Sequence, residues 1–296
     1  MKANSVHAKY KAREKLAGHA FLLASFSGVL LFYIVPFFVV MYYSVTSSSV
    51  TSNAFVGLEN FKTVLNNGAF QIAAKNTLRF SAVSVPLAVI LSLLLALLLD
   101  VKIPGKSMMR TFFLSPLMVP TASIVLIWQV IFHQNGTLNQ FLATFGIDKI
   151  DWFKSDHGQF PIILMFLWKN LGYNMILFMA ALFNLPKELI EEAKVDGAGP
   201  VYCFFRIKLR YLSPTLLFVT ILSLINSFKI FREVYLLTGD YPYESLYMLQ
   251  HYMNNMFINL DYQKLSAAAV IMAAAMVFII AILFIAENYF GKDVEG

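Results

Sequence analysis

Phe80-Ser-Ala-Val-Ser-Val-Pro-Leu-Ala-Val-Ile-Leu-Ser-Leu-Leu-Leu-Ala-Leu-Leu-Leu99 is a run of twenty residues without a charge. At 1.5 Å per residue, a helix of this length covers the roughly 30 Å hydrocarbon core of a bilayer. Lipid offers no partner to backbone N–H and C=O groups, so only helices or closed barrels cross it. This run is too long and too continuously apolar for a barrel strand, which alternates in and out. Five more stretches read the same way: residues 21–43, 111–132, 161–183, 212–228 and 265–286. The predicted fold is all-α and integral to the membrane, with six transmembrane helices.

Composition agrees. Of 296 residues, 58% are hydrophobic and 14% charged, against about 25% charged in soluble domains. The mean hydropathy is +0.66. The single cysteine, Cys203, excludes an intrachain disulfide and reads as a small buried apolar side chain. The net charge of +6 is not a nucleic-acid signal, because the cations flank the apolar stretches.

Lys2, Lys9, Lys11, Arg13 and Lys15 precede the first stretch like the n-region of a signal peptide. The apolar run that follows is about twice the usual h-region and lacks a small-x-small cleavage site, so it reads as an uncleaved span. With the N-terminus inside, fourteen Lys and Arg fall on cytoplasmic segments and eight on external ones. Both termini are then cytoplasmic. Residues 1–20 form a basic cytoplasmic tail and 21–296 one six-helix domain, with a short external loop at 44–53.

Between the fourth and fifth spans runs Pro186-Lys-Glu-Leu-Ile-Glu-Glu-Ala-Lys-Val-Asp-Gly-Ala-Gly-Pro200. Pro186 suits a helix's first turn, where a missing N–H costs nothing. Gly197 is placed to end that helix in a left-handed cap, and Pro200 to open a second helix over 201–209. Leu189, Ile190 and Ala193 give the first helix an apolar side. Alone, this describes an interfacial amphipathic helix.

Glu191, Ala193, Asp196-Gly197-Ala198, Ile207, Leu209 and Pro214 also match, without a gap, the "EAA" coupling loop of ABC-importer permeases. The chain thus resembles that family. The resemblance implies a type I ABC importer permease fold with the coupling loop at 184–211. It places Glu191, Ala193, Asp196 and Gly197 on the surface that docks an ATPase. Glu192 stands where a second alanine is usual, and Arg210 where a proline usually follows Leu209.

The partners implied are a second homologous permease, two ATP-binding subunits, an extracytoplasmic solute-binding protein and membrane lipid. No nucleic acid is implied. This chain binds no cofactor on that reading; ATP and Mg belong to the partner ATPase subunits. No Gly-rich phosphate loop, metal-ligand spacing or nucleophile–base motif is present in the sequence.

Phe55-Val-Gly-Leu-Glu-Asn-Phe61, Arg110-Thr-Phe-Phe-Leu-Ser-Pro116 with Val119-Pro120, Gly136-Thr-Leu-Asn139, Trp168-Lys-Asn-Leu-Gly-Tyr-Asn174 and Tyr235-Leu-Leu-Thr-Gly239 resemble carbohydrate-uptake permeases. They are similar to the first permease of maltose or glycerol-3-phosphate transporters. Gly239-Asp240-Tyr241-Pro242 stands where Gly-Gly-Pro usually follows the Thr, Arg232 replaces an acid, and Ile230 stands where a polar contact is expected.

A sugar presents hydroxyls around apolar ring faces, so its path needs amides, hydroxyls and aromatic surface. Trp168, Asn170, Tyr173 and Asn174 in the fourth span supply these, with Ser223, Asn226 and Ser227 on one face of the fifth. The resemblance puts transport positions at Asn170, Tyr173, Ser223, Asn226 and Ser227. The same side chains can equally bond helix to helix. Lys169 invites reading as an anion hook, although a Trp-Lys pair is common there in the family.

The expected function is ATP-driven carbohydrate import, with an oligosaccharide foremost and a solute such as glycerol phosphate the alternative. An ion-coupled secondary transporter needs acids within the spans, and the six stretches hold none. The stretch from Met248 to Met256 reads as external packing against the second permease.

Overall fold

The computed structural model describes residues 18, 22–23, 25–47, 54–101 and 104–291. The basic tail, except Gly18, and residues 48–53 of the loop expected at 44–53 lie outside the described residues. The regular structure described is helical, apart from one antiparallel bridge between Thr46 and Phe55. Five helices are long and apolar enough to cross a bilayer, and six if a bent pair counts as one. The contacts group the chain into two units, residues 1–65 with 259–271, and 66–258 with 272–296.

The first unit holds α1 (Ser25–Ser44), α2 (Glu59–Leu65) and the start of a long helix, Tyr262–Gly291. One residue before Pro36, the α1 ladder opens into a π turn in which Val35 N–H donates to Leu30 O. A proline ring excludes the normal preceding turn, which explains the widening. The end of α1 is closed by Asn60, whose Nδ2 donates to Ser44 O at 3.0 Å and Thr46 O at 2.9 Å. These carbonyls would otherwise lack partners. The Phe55–Phe61 signature is thus a cap.

The second unit is built on α3 (Gly68–Asp100), started by Asn67, whose Oδ1 accepts from Phe70 N at 3.1 Å. The helix passes through Pro86 without ending. Against α3 pack α7 (Gln159–Phe183), α10 (Ser213–Phe228) and α12 (Leu249–Ile258). Phe80, Ile124, Met165, Phe166 and Val234 form the core, with the Phe80 and Phe166 rings edge-on at 5.5 Å. Helix α4 (Lys106–Leu114) touches α7 at Gly172, where a Cβ would lie 1.9 Å from Phe113 O. Only glycine permits that approach.

Two spans differ from expectation. The third is not a straight helix over 111–132. α4 tightens into a 3-10 turn, Ser115–Met118, and α5 (Thr121–Ile131) leaves at 102°. Pro120 forces Val119 out of the helical region, to φ −88° and ψ 129°. The fifth apolar segment runs on to Thr238 through α11 (Phe231–Thr238), past a break at Lys229–Ile230. Lys229, Arg232 and Glu233 interrupt its apolar pattern, which hid the extension.

Candidate functional site

Helix α8 (Lys187–Val195) begins after Pro186 and ends at Gly197, whose φ is +85°. Gly197 N–H donates to Lys194 O at 3.0 Å and Ala198 N–H to Ala193 O at 2.8 Å. These two bonds make a Schellman cap and satisfy the last carbonyls of α8. Gly199 and Pro200 then open α9 (residues 200–211), which runs to Tyr211 with a π segment at Cys203–Lys208. The expected second helix ended at Leu209. Tyr211 OH donates to Asn184 O at 2.9 Å, tying the two ends of the 184–211 loop together.

Glu191, Asp196 and Gly197 are exposed and Ala193 is half-buried. Ala193, Asp196, Gly197, Tyr202 and Arg206 line an open hollow of about 660 Å³. Val195 is 88% exposed, and Leu189, Val201, Tyr202 and Phe205 are exposed as well. This apolar surface on a polar loop is the kind a partner protein covers. Cys203 is buried.

A second cluster lies where α7 faces α10 and α11. Asn226 Nδ2 donates to Asn170 Oδ1 at 3.0 Å, and Asn170 Nδ2 to Phe166 O at 2.8 Å. Asn170 and Asn226 line a cleft of about 900 Å³, shared with Lys169, Phe231, Tyr235 and Gln250. The other sequence candidates sit elsewhere. Asn174 Nδ2 donates to Ser223 Oγ at 2.9 Å, both buried. Ser227 Oγ lies 2.8 Å from Ser81 Oγ, between α10 and α3. Trp168 packs on the core 6.3 Å from the Trp128 ring, and Tyr173 is exposed.

Lys169 is not a free anion hook, because it forms an ion pair with Glu233 of α11. Glu233 is the acid that the sequence reading missed. Lys169 in mid-span was the signal, since a cation at that depth demands a partner. Being paired, Glu233 does not offer the unneutralised acid of ion coupling. Ile230 packs in the core. The Met248–Met256 stretch is not free for a second chain along its length: Met248 is in the core, and α12 packs on α3.

Three more polar residues tie loops together. Asn139 of α6 (Thr137–Ala143), buried, donates through Nδ2 to Gln134 O at 3.0 Å and Ile150 O at 2.7 Å, and accepts from Trp152 Nε1 at 3.2 Å. Asn76 Nδ2 donates to Glu244 O at 2.6 Å. His251 is fully buried and accepts from Met248 N–H through Nδ1 at 3.3 Å. Burial pushes its pKa down to about 4, with Asp240 opposing weakly.

The family described as "Binding-protein-dependent transport system inner membrane component" matches residues 88–296. The trehalose/maltose transport system permease protein MalF of Thermococcus litoralis is 29% identical over 294 residues, 98% of this chain and 99% of that one. The arabinooligosaccharides transport system permease protein AraP of Bacillus subtilis is 32% identical, over 76% of this chain and 72% of that one. The sn-glycerol-3-phosphate transport system permease protein UgpA of Salmonella choleraesuis is 33% identical over 60% of each chain. Among solved structures, a bacterial ABC transporter involved in the import of the acidic polysaccharide alginate superposes with a TM-score of 0.80 at 21% identity, covering 97% of this chain and 98% of that one.

Proposed function

The chain belongs to the family of binding-protein-dependent transport system inner membrane components, and from that premise we propose that it lines half the path of a carbohydrate importer. It is a multi-pass permease subunit of an ABC importer, a transport subunit and not an enzyme, and ATP binding resides in a partner ATPase. The proposal adds a second, homologous permease, two ATPase subunits and an external solute-binding protein. It puts the 184–211 loop and both termini in the cytoplasm, with the exposed face around Glu191, Ala193, Asp196 and Gly197 against the ATPase. Closure of the ATPase pair on ATP would pull α8 and re-aim the spans, a two-state change rather than bond chemistry.

The observation that carries the carbohydrate reading is the Asn170–Asn226 amide pair in the wall of the 900 Å³ cleft, beside Phe166, Phe231 and Tyr235. Amides that donate and accept, next to aromatic surface, match a hydroxylated ring. Relatives named for trehalose/maltose and for arabinooligosaccharides support it. Glycerol phosphate is the second reading, favoured by the relatives named for it. Asn174, Ser223 and Ser227 belong in this proposal to the frame that holds α7, α10 and α3 together.

The test is Asn226→Ala in the assembled importer, with uptake measured across mono- to tetrasaccharides and normalised to complex recovered. Loss of one partly buried hydrogen bond that leaves Asn170 without its partner costs roughly 1–3 kcal/mol. Some sugars should lose much more uptake than others. A uniform decline that tracks lost complex would make Asn226 a helix–helix bond only.

A further inference from the structure

The cleft wall carries four charged side chains: Lys169, Lys229, Arg232 and Glu233. Lys169 and Glu233 neutralise each other. Lys229 and Arg232 are exposed, and neither has an ion-pair partner among the described residues. They straddle the break between α10 and α11, three residues beyond Asn226 and one residue into α11. The nearest acid in sequence outside the cleft, Asp240, accepts from Asn254 at 3.2 Å. The cleft therefore holds an amide pair, aromatic rings and an uncompensated charge of about +2. Two unpaired cations three residues apart in sequence cost a mutual repulsion that a neutral sugar does not relieve. An anion would offset that cost and gain a charge-assisted hydrogen bond from each cation.

Resting on the carbohydrate reading, we propose that the transported solute is anionic, with a carboxylate or phosphate received by Lys229 and Arg232 while Asn170 and Asn226 meet its hydroxyls. A uronate-containing oligosaccharide supplies both chemistries. A glycerol phosphate supplies the charge with a shorter row of hydroxyls.

The experiment uses the purified importer, both permeases with their ATPases, without the binding protein. Equilibrium dialysis compares trigalacturonate, its methyl ester, maltotriose and glycerol 3-phosphate. Exposed charge pairs contribute up to about 1 kcal/mol each, so trigalacturonate should bind about 3- to 30-fold more tightly than its ester. Raising salt from about 0.1 M to about 1 M cuts the screening length from about 10 Å to about 3 Å and should shrink that gap. Lys229→Gln with Arg232→Gln should close the gap and leave ester binding unchanged. Both side chains are exposed, and co-purification of the ATPase checks that the double variant assembles.

Equal binding of uronate, ester and maltotriose would overturn the anionic proposal and leave the carbohydrate reading standing. Binding of glycerol 3-phosphate alone, lost in the double variant, would uphold the charge and overturn the carbohydrate. A uronate gap that survives both substitutions would overturn the roles given to Lys229 and Arg232. Binding of none of the four would overturn both readings.

Discussion

Replacing Lys169 by methionine strands Glu233, whose side chain is only 6% exposed, while that of Lys169 is 29% exposed. Removing one partner of a buried pair costs about 3–5 kcal/mol when the remaining charge stays in the interior. The cleft beside Lys169 admits some water, so the lower end, about 3 kcal/mol, is expected. For a chain of this size that lowers the thermal midpoint by about 6–12 °C. The reverse substitution, Glu233→Gln, leaves a lysine whose long stem can carry its ammonium into the cleft, and should cost about 1 kcal/mol or less. Lys169→Met with Glu233→Leu removes both charges and should return close to the parent, because apolar replacements of buried pairs are often neutral. The assay is the midpoint of detergent-solubilised complex followed by size-exclusion fluorescence, with uptake measured in parallel. Equal losses in the two single variants, or a double variant as unstable as Lys169→Met, would refute the burial argument.

Gly197→Val should leave the permease in the membrane and abolish uptake: φ of +85° is strained for any side chain, although no atom lies within 4 Å to collide with it; normal transport would remove the docking role. Val195→Cys, at an 88% exposed position, should react with an impermeant thiol reagent only after cells are opened and the ATPase is stripped from the membrane. Cys203 is buried and should stay silent from either side, so labelling of intact cells at position 195 would reverse the orientation. His251, with a folded pKa of about 4 against about 6.5 when unfolded, is buried neutral. The unfolded chain takes up the extra proton between those values, so this contribution is complete above pH 6.5 and is lost as pH falls toward 4. The parent should lose up to about 3 kcal/mol more than His251→Asn across that window, and parallel pH curves would show that the imidazole is not held neutral.

The parts legible in the sequence were those written locally. A twenty-residue uncharged run needs no partner to declare a span, and Gly197 followed by Gly199-Pro200 punctuates the backbone where it stands. Asn226 announced itself as polar among apolar neighbours. Its bond to Asn170 depends on two helices meeting 56 residues apart, and sequence order does not record that meeting. The same limit hid Glu233, whose partner lies 64 residues away. Ser223 and Asn174 both looked like path residues because a polar side chain in a span needs a partner. Whether that partner is a solute or another helix is decided by packing. Pro120 was visible, but an apolar count over 111–132 does not register one dihedral angle.

That dihedral governs sidedness. A chain that crosses a membrane an even number of times ends on the face where it began, and an odd number leaves it on the other. Five spans alone would separate Gly18 from Gly291. The pair bent by 102° makes the count even when it carries the chain through and odd when it turns the chain back. Neither arm reaches across unaided, since Lys106–Met118 and Thr121–Ile131 are each shorter than about 20 residues. Everything after Ile131, more than half the chain, inherits its side of the membrane from the corner that Pro120 imposes.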